Sequence, residues 1–259
     1  MLETRDLTIR FGGHTAVDHV SCRFLPGTLT AIVGPNGAGK TTYFNLISGQ
    51  LRASEGRVLL GGEDITALPA PLRTRRGLGR AFQLTQLFPG LTVRENVRLA
   101  VQAREAGRGR GGPLGGLDIW RVWLDRAAWR DEAQAVLAQV QLADRADAPA
   151  SSLPHGDQRK LEVALLIALD PRVFMFDEPT AGMSVDEVPV VLDLIRALKA
   201  QRDRTILLVE HKMDVVRELA DRIIVLHDGK LVADGEPAAV IASPVVQQAY
   251  LGVGREEVL

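Results

Sequence analysis

The residues best suited to chemistry in this sequence begin with Gly34, Pro35, Asn36, Gly37, Ala38, Gly39, Lys40, Thr41 and Thr42, a G-x-x-x-x-G-K-T run. Glycines without a Cβ let the backbone curl until several N–H groups face one anion. A helix that starts where such a loop ends adds its positive terminus. Lys40 offers a cation to the outer phosphates, and Thr41 places a hydroxyl where Mg²⁺ would sit. Far along the chain, Asp177 and Glu178 follow the apolar residues 173–176. At a strand end the first carboxylate can hold Mg²⁺ through water, and the second can orient or deprotonate an attacking water. Together these residues predict a nucleoside triphosphate site.

The elements around them must bring them to one place. Residues 29–33 are apolar and β-branched, and residues 43–47 have helical apolar spacing, so strand, loop and helix come in the order the phosphate loop requires. Upstream, residues 2–11 and 20–25 read as short strands, with Leu2, Leu7, Ile9 and Phe11 in rough alternation. Gly49 ends the helix after the loop, and residues 57–60 form another strand. From about 66 to 152 the pattern turns helical. Thr92 and Glu95 form a capping box, residues 107–116 are a Gly- and Arg-rich interruption, and Ala133, Val136, Leu137 and Val140 share a helix face. Beyond Leu153, helices over 158–169, 185–198 and 213–220 alternate with strands over 172–176 and 205–209. A hairpin follows, with Asp228 and Gly229 as a type I′ turn, and short helices over 237–251 close the pattern. Parallel strands joined by helices gather ligands at their carboxyl ends. The phosphate loop, Asp177 with Glu178, and Glu210 with His211 should therefore converge.

At 259 residues with 46% apolar and 24% charged side chains, the chain can bury a substantial core. A net charge of −1 argues against a nucleic-acid-coating surface, leaving a local basic patch such as Arg73, Thr74, Arg75 and Arg76. Arg94, Arg104, Arg108 and Arg110 read as a solvated face. Cys22 is the single cysteine, so neither a disulfide framework nor a cysteine metal site is available. The first residues are charged where a signal peptide needs an apolar core, and the longest apolar run, 163–169, is too short for a bilayer. The expectation is a soluble protein whose membrane work is done through partners.

In their order along the chain these motifs resemble the ATP-binding subunit of an ABC transporter. The resemblance implies a RecA-like P-loop α/β core with an N-terminal antiparallel β subdomain. It also implies one ABC ATPase domain over residues 1–259, with a helical subdomain at about 84–156 inserted in the core. Gln83 matches the glutamine loop, which in the family contacts Mg²⁺ and the attacking water. Residues 174–178 match the second nucleotide motif, with Glu178 as its catalytic glutamate and Thr41, Gln83 and Asp177 around Mg²⁺. Residues 181–184 take the place of the D-loop, and His211 matches the switch histidine that contacts the γ-phosphate. Phe11 falls where the family stacks an aromatic ring on adenine, with Val17 as an apolar neighbour. Taken singly, the alternative readings are core for Phe11, a surface amide for Gln83 and a structural histidine for His211.

Pro154, His155, Gly156 and Asp157 occupy the signature motif, which in the family meets ATP held by the opposite subunit. Here Pro154 stands where the family has a serine, and His155 where it has the first glycine. Proline brings neither hydroxyl nor N–H, although it suits a first helical turn. A missing charge-assisted hydrogen bond costs on the order of 1.5–3 kcal/mol, so slower turnover is expected. Ser184 replaces the aspartate of many D-loops. Phe11, Gly12 and Gly13, the insert over 104–130, residues 155–158 and 209–211, and the ending at 249–252 look closest to branched-chain amino acid import ATPases. The implied partners are a second ATPase subunit, identical or homologous, transmembrane permease subunits and, indirectly, a periplasmic binding protein, with no nucleic acid. The implied place is the inner face of the plasma membrane. Lipopolysaccharide export, urea or amide uptake, a slow regulatory half of a heterodimer and a non-transporting ABC adaptor are the alternatives. One phosphate loop and no sustained heptads weigh against the last of these.

Overall fold

The computed structural model describes residues 1–81, 87–107, 119–244 and 246–247. In chain order the strands and helices begin with β1 (Leu2–Phe11), β2 (His14–Phe24), β3 (Leu29–Val33) and α1 (Lys40–Ser48). Next come β4 (Glu55–Leu60), β5 (Glu63–Asp64), α2 (Ala70–Arg75), β6 (Leu78–Ala81), α3 (Val93–Gly107) and α4 (Ile119–Gln139). Then follow α5 (His155–Leu169), β7 (Val173–Asp177), α6 (Val188–Ala200), β8 (Thr205–Val209) and α7 (Met213–Leu219). The last are β9 (Arg222–His227), β10 (Lys230–Gly235) and α8 (Pro237–Ile241). The chain divides into two compact units. One comprises Met1–Leu78, Arg172–Glu178 and Leu198–Leu259, and the other Gly79–Pro171 with Pro179–Ala197.

The first unit holds two sheets. An antiparallel sheet runs β2-β1-β4-β5, and a second sheet runs β10-β9-β3-β8-β7, with Leu78 at the start of β6 continuing it beside β7. Strands β9, β3, β8 and β7 are mutually parallel, and every residue of the mainly apolar β3, β7 and β8 is buried, as parallel strands covered on both faces require. The alternation within β3 splits the core. Ile32 packs with Leu2, Phe24, Phe44 and Ile47 between the sheets, while Ala31 and Val33 face Val216, Val225 and Val240 on the far side.

The N-terminal strands depart from simple alternation. Asp6 has φ 46°, and the β1–β2 register shifts between Thr4 and Leu7, so both Leu2 and Leu7 face inward although five residues apart. Phe11 and Leu25, at the strand ends, are exposed. Asp228 and Gly229 both have positive φ between β9 and β10, as a type I′ turn demands.

The second unit is mostly helical. Val93, Val97, Ala133, Val136, Leu137, Leu161 and Ala164 are buried along α3, α4 and α5, and Val140 just past α4 is buried with them. The capping box forms as the sequence requires: the Thr92 amide and hydroxyl both donate to Glu95 Oε2 at 2.9 Å. Arg104, expected on a solvated face, is instead mostly covered. Its guanidinium binds Glu132 at 2.6 and 2.8 Å and donates to Ala168 O, joining α3 to α4 and to the end of α5. Arg94 pairs with Asp147 at 3.0 Å. Arg108 and Arg110 lie outside the described residues, as do the interruption over 108–116 and the ending over 249–252. No helix among the described residues is long and apolar enough to cross a membrane.

Candidate nucleotide site

The phosphate loop leaves β3 at Val33 and re-enters regular structure at Lys40, the first residue of α1. Gly39 caps the helix at φ 94°, and the Tyr43 amide closes the first turn on Gly39 O at 2.8 Å. The amides ahead of Tyr43 begin the helix and have no intrahelical acceptor, which makes this end a ready anion site. A Cβ at Gly39 would collide with Ala16 O of β2, so glycine is needed there for fit as well as for φ. Gly34 meets Leu226 O in the same way. Asn36, Gly37 and Thr41 are exposed along the loop, whereas Gly34 and Ala38 are buried beneath it and Pro35, Gly39 and Thr42 are half-buried.

Lys40 is almost fully buried, and its Nζ donates to Gly34 O at 2.7 Å and Pro35 O at 2.8 Å. Burial pushes its pKa down, and the charges of Glu178 and Asp177 oppose that push. The ammonium is thus folded back into the loop by two carbonyls that a phosphate oxygen can replace.

Sheet register brings the other groups to the same edge. Asp177 pairs with Val209 across β7 and β8, and Val209 pairs with Ile32 across β8 and β3. These three positions lie in a row near the carboxyl ends of their strands. Asp177 is buried at the end of β7, and Glu178 follows with φ 50° and its amide on Val209 O at 2.9 Å. Glu178 Oε1 lies 2.8 Å from His211 Nε2, and the His211 amide donates to Glu210 Oε2 at 2.9 Å. Lys40, Asp177, Glu178 and His211 are therefore gathered as the sequence led us to expect.

The adenine-stacking pair divides. Phe11 is half exposed at the β1–β2 turn, so it is not core, whereas Val17 is fully buried and presents no surface to a ligand. Gln83 lies outside the described residues. In the other unit, Pro154 is the N-cap of α5, with His155 exposed beside it and Gly156 and Asp157 buried.

Two supports of the loop escaped the sequence. The Gly229 amide donates to Ala38 O at 3.2 Å and Gly229 O accepts from the Asp18 amide at 2.8 Å, so the β9–β10 turn braces the loop against β2. The turn itself was legible, but not its place in space. At the other end of α1, Arg73 is 2% exposed and donates to Leu46 O and Ile47 O at 2.7 Å, and to Thr66 O and Leu68 O. A basic run read as a surface patch thus contains a buried cation capping the phosphate-loop helix. Burial brings its pKa down to about 10.

A parallel sheet with a Gly-rich loop, a buried lysine and two carboxylates at one edge defines the class of P-loop nucleotide-binding α/β proteins. The sequence profile described as "ABC transporter" matches residues 17–181, and the chain belongs to the ABC transporter family. It is 36% identical to the high-affinity branched-chain amino acid transport ATP-binding protein LivG of Escherichia coli K12, over 97% of this chain and 98% of that one. The corresponding protein BraF of Pseudomonas aeruginosa is 37% identical, with 97% and 98% covered. Among solved structures, the ADP conformation of MJ1267, an ATP-binding cassette of an ABC transporter, superposes with a TM-score of 0.78 at 28% identity, covering 97% and 98%.

Proposed function

We propose that this chain is the ATP-binding and ATP-hydrolysing subunit of an ABC transporter for branched-chain amino acid uptake. The arrangement of Glu178 against His211, at the sheet edge that carries Lys40 and the phosphate loop, supports the hydrolytic part most directly. Similarity to LivG and BraF along almost the whole chain supports the cargo.

In this reading the loop amides and Lys40 hold the triphosphate, and the exposed ring of Phe11 stacks on the base. Glu178 accepts a proton from water as the water oxygen bonds to the γ-phosphorus. The bond from that phosphorus to the bridging oxygen breaks, and ADP and phosphate leave. His211 holds the Glu178 carboxylate in place and steadies the γ-phosphate. The hydroxyl of Thr41 and the carboxylate of Asp177 are hard oxygen donors that suit Mg²⁺, with Gln83 as a third. When bound, the ion would draw charge from the phosphate oxygens. Two such chains, or this one and a homologous ATPase, close head to tail with each phosphate loop facing the other's α5. The helical subdomain at about 84–156, with Gln83 as its joint, carries the motion to permease subunits on the inner face of the membrane, and a periplasmic protein delivers the cargo.

Pro154 favours one second reading, in which the chain is the slower half of a heterodimer. Phosphate release by the purified chain, with Glu178→Gln as the inactive control that accumulates an ATP-bound dimer, tests the proposal. A chain that stays monomeric and releases no phosphate would end it. Identification of the permease that co-purifies with the chain tests the cargo.

A further inference from the structure

Pro154 leaves the exposed end of α5 without a hydroxyl, and its neighbours narrow down what can replace it. Ser152 Oγ donates to Pro149 O at 2.7 Å, and Gln158 Nε2 donates to Leu153 O at 2.9 Å, so both are committed locally. Asp157 is an acid engaged by Lys160 at 3.0 Å and Arg145 at 3.3 Å. Gly156 is covered, since a Cβ built on it would overlap both carboxylate oxygens of Glu187. That carboxylate is itself fixed by the Ser184 amide at 3.1 Å and hydroxyl at 2.9 Å.

His155 differs from all of these. It is exposed, and it opens the first turn of α5. One edge of its ring rests against Gly182: a Cβ there would lie 2.9 Å from Cε1 and 3.1 Å from Nδ1, but 3.8 Å from Nε2. The ring therefore rests by its Cε1–Nδ1 edge against the backbone at Gly182, which has φ 72°, with Nε2 as the nitrogen farther from that contact. A neutral imidazole carries one N–H and one acceptor nitrogen, so Nε2–H can donate without any change of charge.

We propose that His155 donates, through Nε2–H, the hydrogen bond to the γ-phosphate of the opposite subunit's ATP that the serine one position earlier would otherwise supply. This rests on the head-to-tail reading above. The longer side chain reaches further than a hydroxymethyl from the same helix end, and the N-terminal amides of α5 add to the anion's environment. Gly182 is then the seat that aims the donor.

The test uses the full chain in two backgrounds. With Glu178→Gln, ATP-dependent dimerisation is followed by light scattering; with Glu178 intact, phosphate release is measured. His155→Ala should raise the ATP concentration needed for dimerisation and lower kcat/KM about tenfold or more. His155→Gln, which keeps a donor, should lose less. ATP affinity of the monomer, set by its own phosphate loop, should not change. Two donors serving one phosphate couple, so Pro154→Ser should raise activity by a larger factor when His155 is alanine than when it is present. Dimerisation at unaltered ATP concentration in His155→Ala, or equal factors for Pro154→Ser in both backgrounds, overturns the proposal. Failure of the Glu178→Gln chain to dimerise with His155 intact overturns the head-to-tail pairing of two identical chains, and this inference, which rests on that pairing, with it.

Discussion

His211 Nε2 sits 2.8 Å from Glu178 Oε1, joining the residue after β8 to the residue after β7. Glu178 has φ 50°, a costly conformation for a residue with a side chain, and its amide is fixed on Val209 O. The carboxylate is therefore aimed by its backbone and by the imidazole together. His211→Ala should lower kcat by on the order of 10²-fold, the lower end of what a positioned general base contributes. ATP affinity, measured by fluorescence titration, should stay within a few fold. A variant with full turnover would leave His211 as a structural histidine only.

Lys40 is held by Gly34 O and Pro35 O and feels the charges of Glu178 and Asp177. Exchanging two carbonyl acceptors for phosphate oxygens converts neutral-acceptor bonds into charge-assisted ones. Lys40→Met should weaken ATP binding by roughly ten- to a hundredfold, from about 1.5–3 kcal/mol. Isothermal titration calorimetry checks this, and ATP at millimolar concentration should no longer raise the melting temperature of the variant.

Why some of this was legible and some was not follows from the range of each interaction. The phosphate loop, the Thr92–Glu95 capping box and the Asp228–Gly229 turn are local: their residue types answer to backbone demands within a few positions, so the sequence displays them. Strand 205–209 was bounded to the residue because its apolar run is buried on both faces. Helix α5 starts three residues before its apolar periodicity because Pro154 sets the cap, a backbone cause that hydrophobic spacing does not report. Helix α6 starts three residues later than its apolar pattern, at Val188, leaving Val185 exposed. Arg73, Arg104 and Val17 were misread for one reason. Each owes its role to distant partners: carbonyls of another helix, Glu132 28 positions away, or the core between two sheets.

Arg73 makes the last carbonyls of α1 satisfiable inside the protein. Replacing it by methionine removes this donor from the carbonyls of Ile47, Thr66 and Leu68 in a dry site and leaves Leu46 O with only the Gly49 amide at 3.4 Å. That should cost about 3 kcal/mol or more and lower the melting temperature by roughly 6–12 °C. Arg73→Lys keeps the charge but has only three donors and no planar fork, so it should recover part of the loss. Calorimetric scans of the three proteins would decide. Equal melting temperatures would mean that the carbonyls find other partners.

Alkaline pH should weaken the fold through one buried cluster. Tyr43 Oη and Thr4 Oγ1 are 2.7 Å apart, and Cys22 donates its amide to that same hydroxyl. Burial raises the Cys22 thiol from 9.0 to about 11, and burial also raises Tyr43 well above its ordinary value. Both pKa values are higher folded than unfolded. The native state therefore holds protons that the unfolded chain gives up, and stability is retained below pH 9 and lost as pH rises through about 11. The cysteine share is roughly 2–3 kcal/mol over that window. Urea midpoints measured from pH 8 to 11 should fall, and Cys22→Ala should flatten the slope. An unchanged slope in the variant would assign the loss elsewhere.

The turn at Asp228 and Gly229 should matter to nucleotide although neither residue belongs to the phosphate loop. Gly229 has φ 76°, and a Cβ on it would stand 2.8 Å from Ala16 O and 3.3 Å from the Val17 Cα. Its amide holds Ala38 O, one residue before the glycine that caps α1. Gly229→Ala therefore has to move the turn, and the bond to Ala38 moves with it. Gly62 is the control: its φ is 91°, but nothing lies within 4 Å of a Cβ there. Both substitutions incur backbone strain of about 1–3 kcal/mol, so both should lower the melting temperature. Only Gly229→Ala should also weaken ATP binding, by several fold, because only there does the displaced backbone support the loop. Matching ATP affinities in the two variants would show that the phosphate loop keeps its shape without this brace.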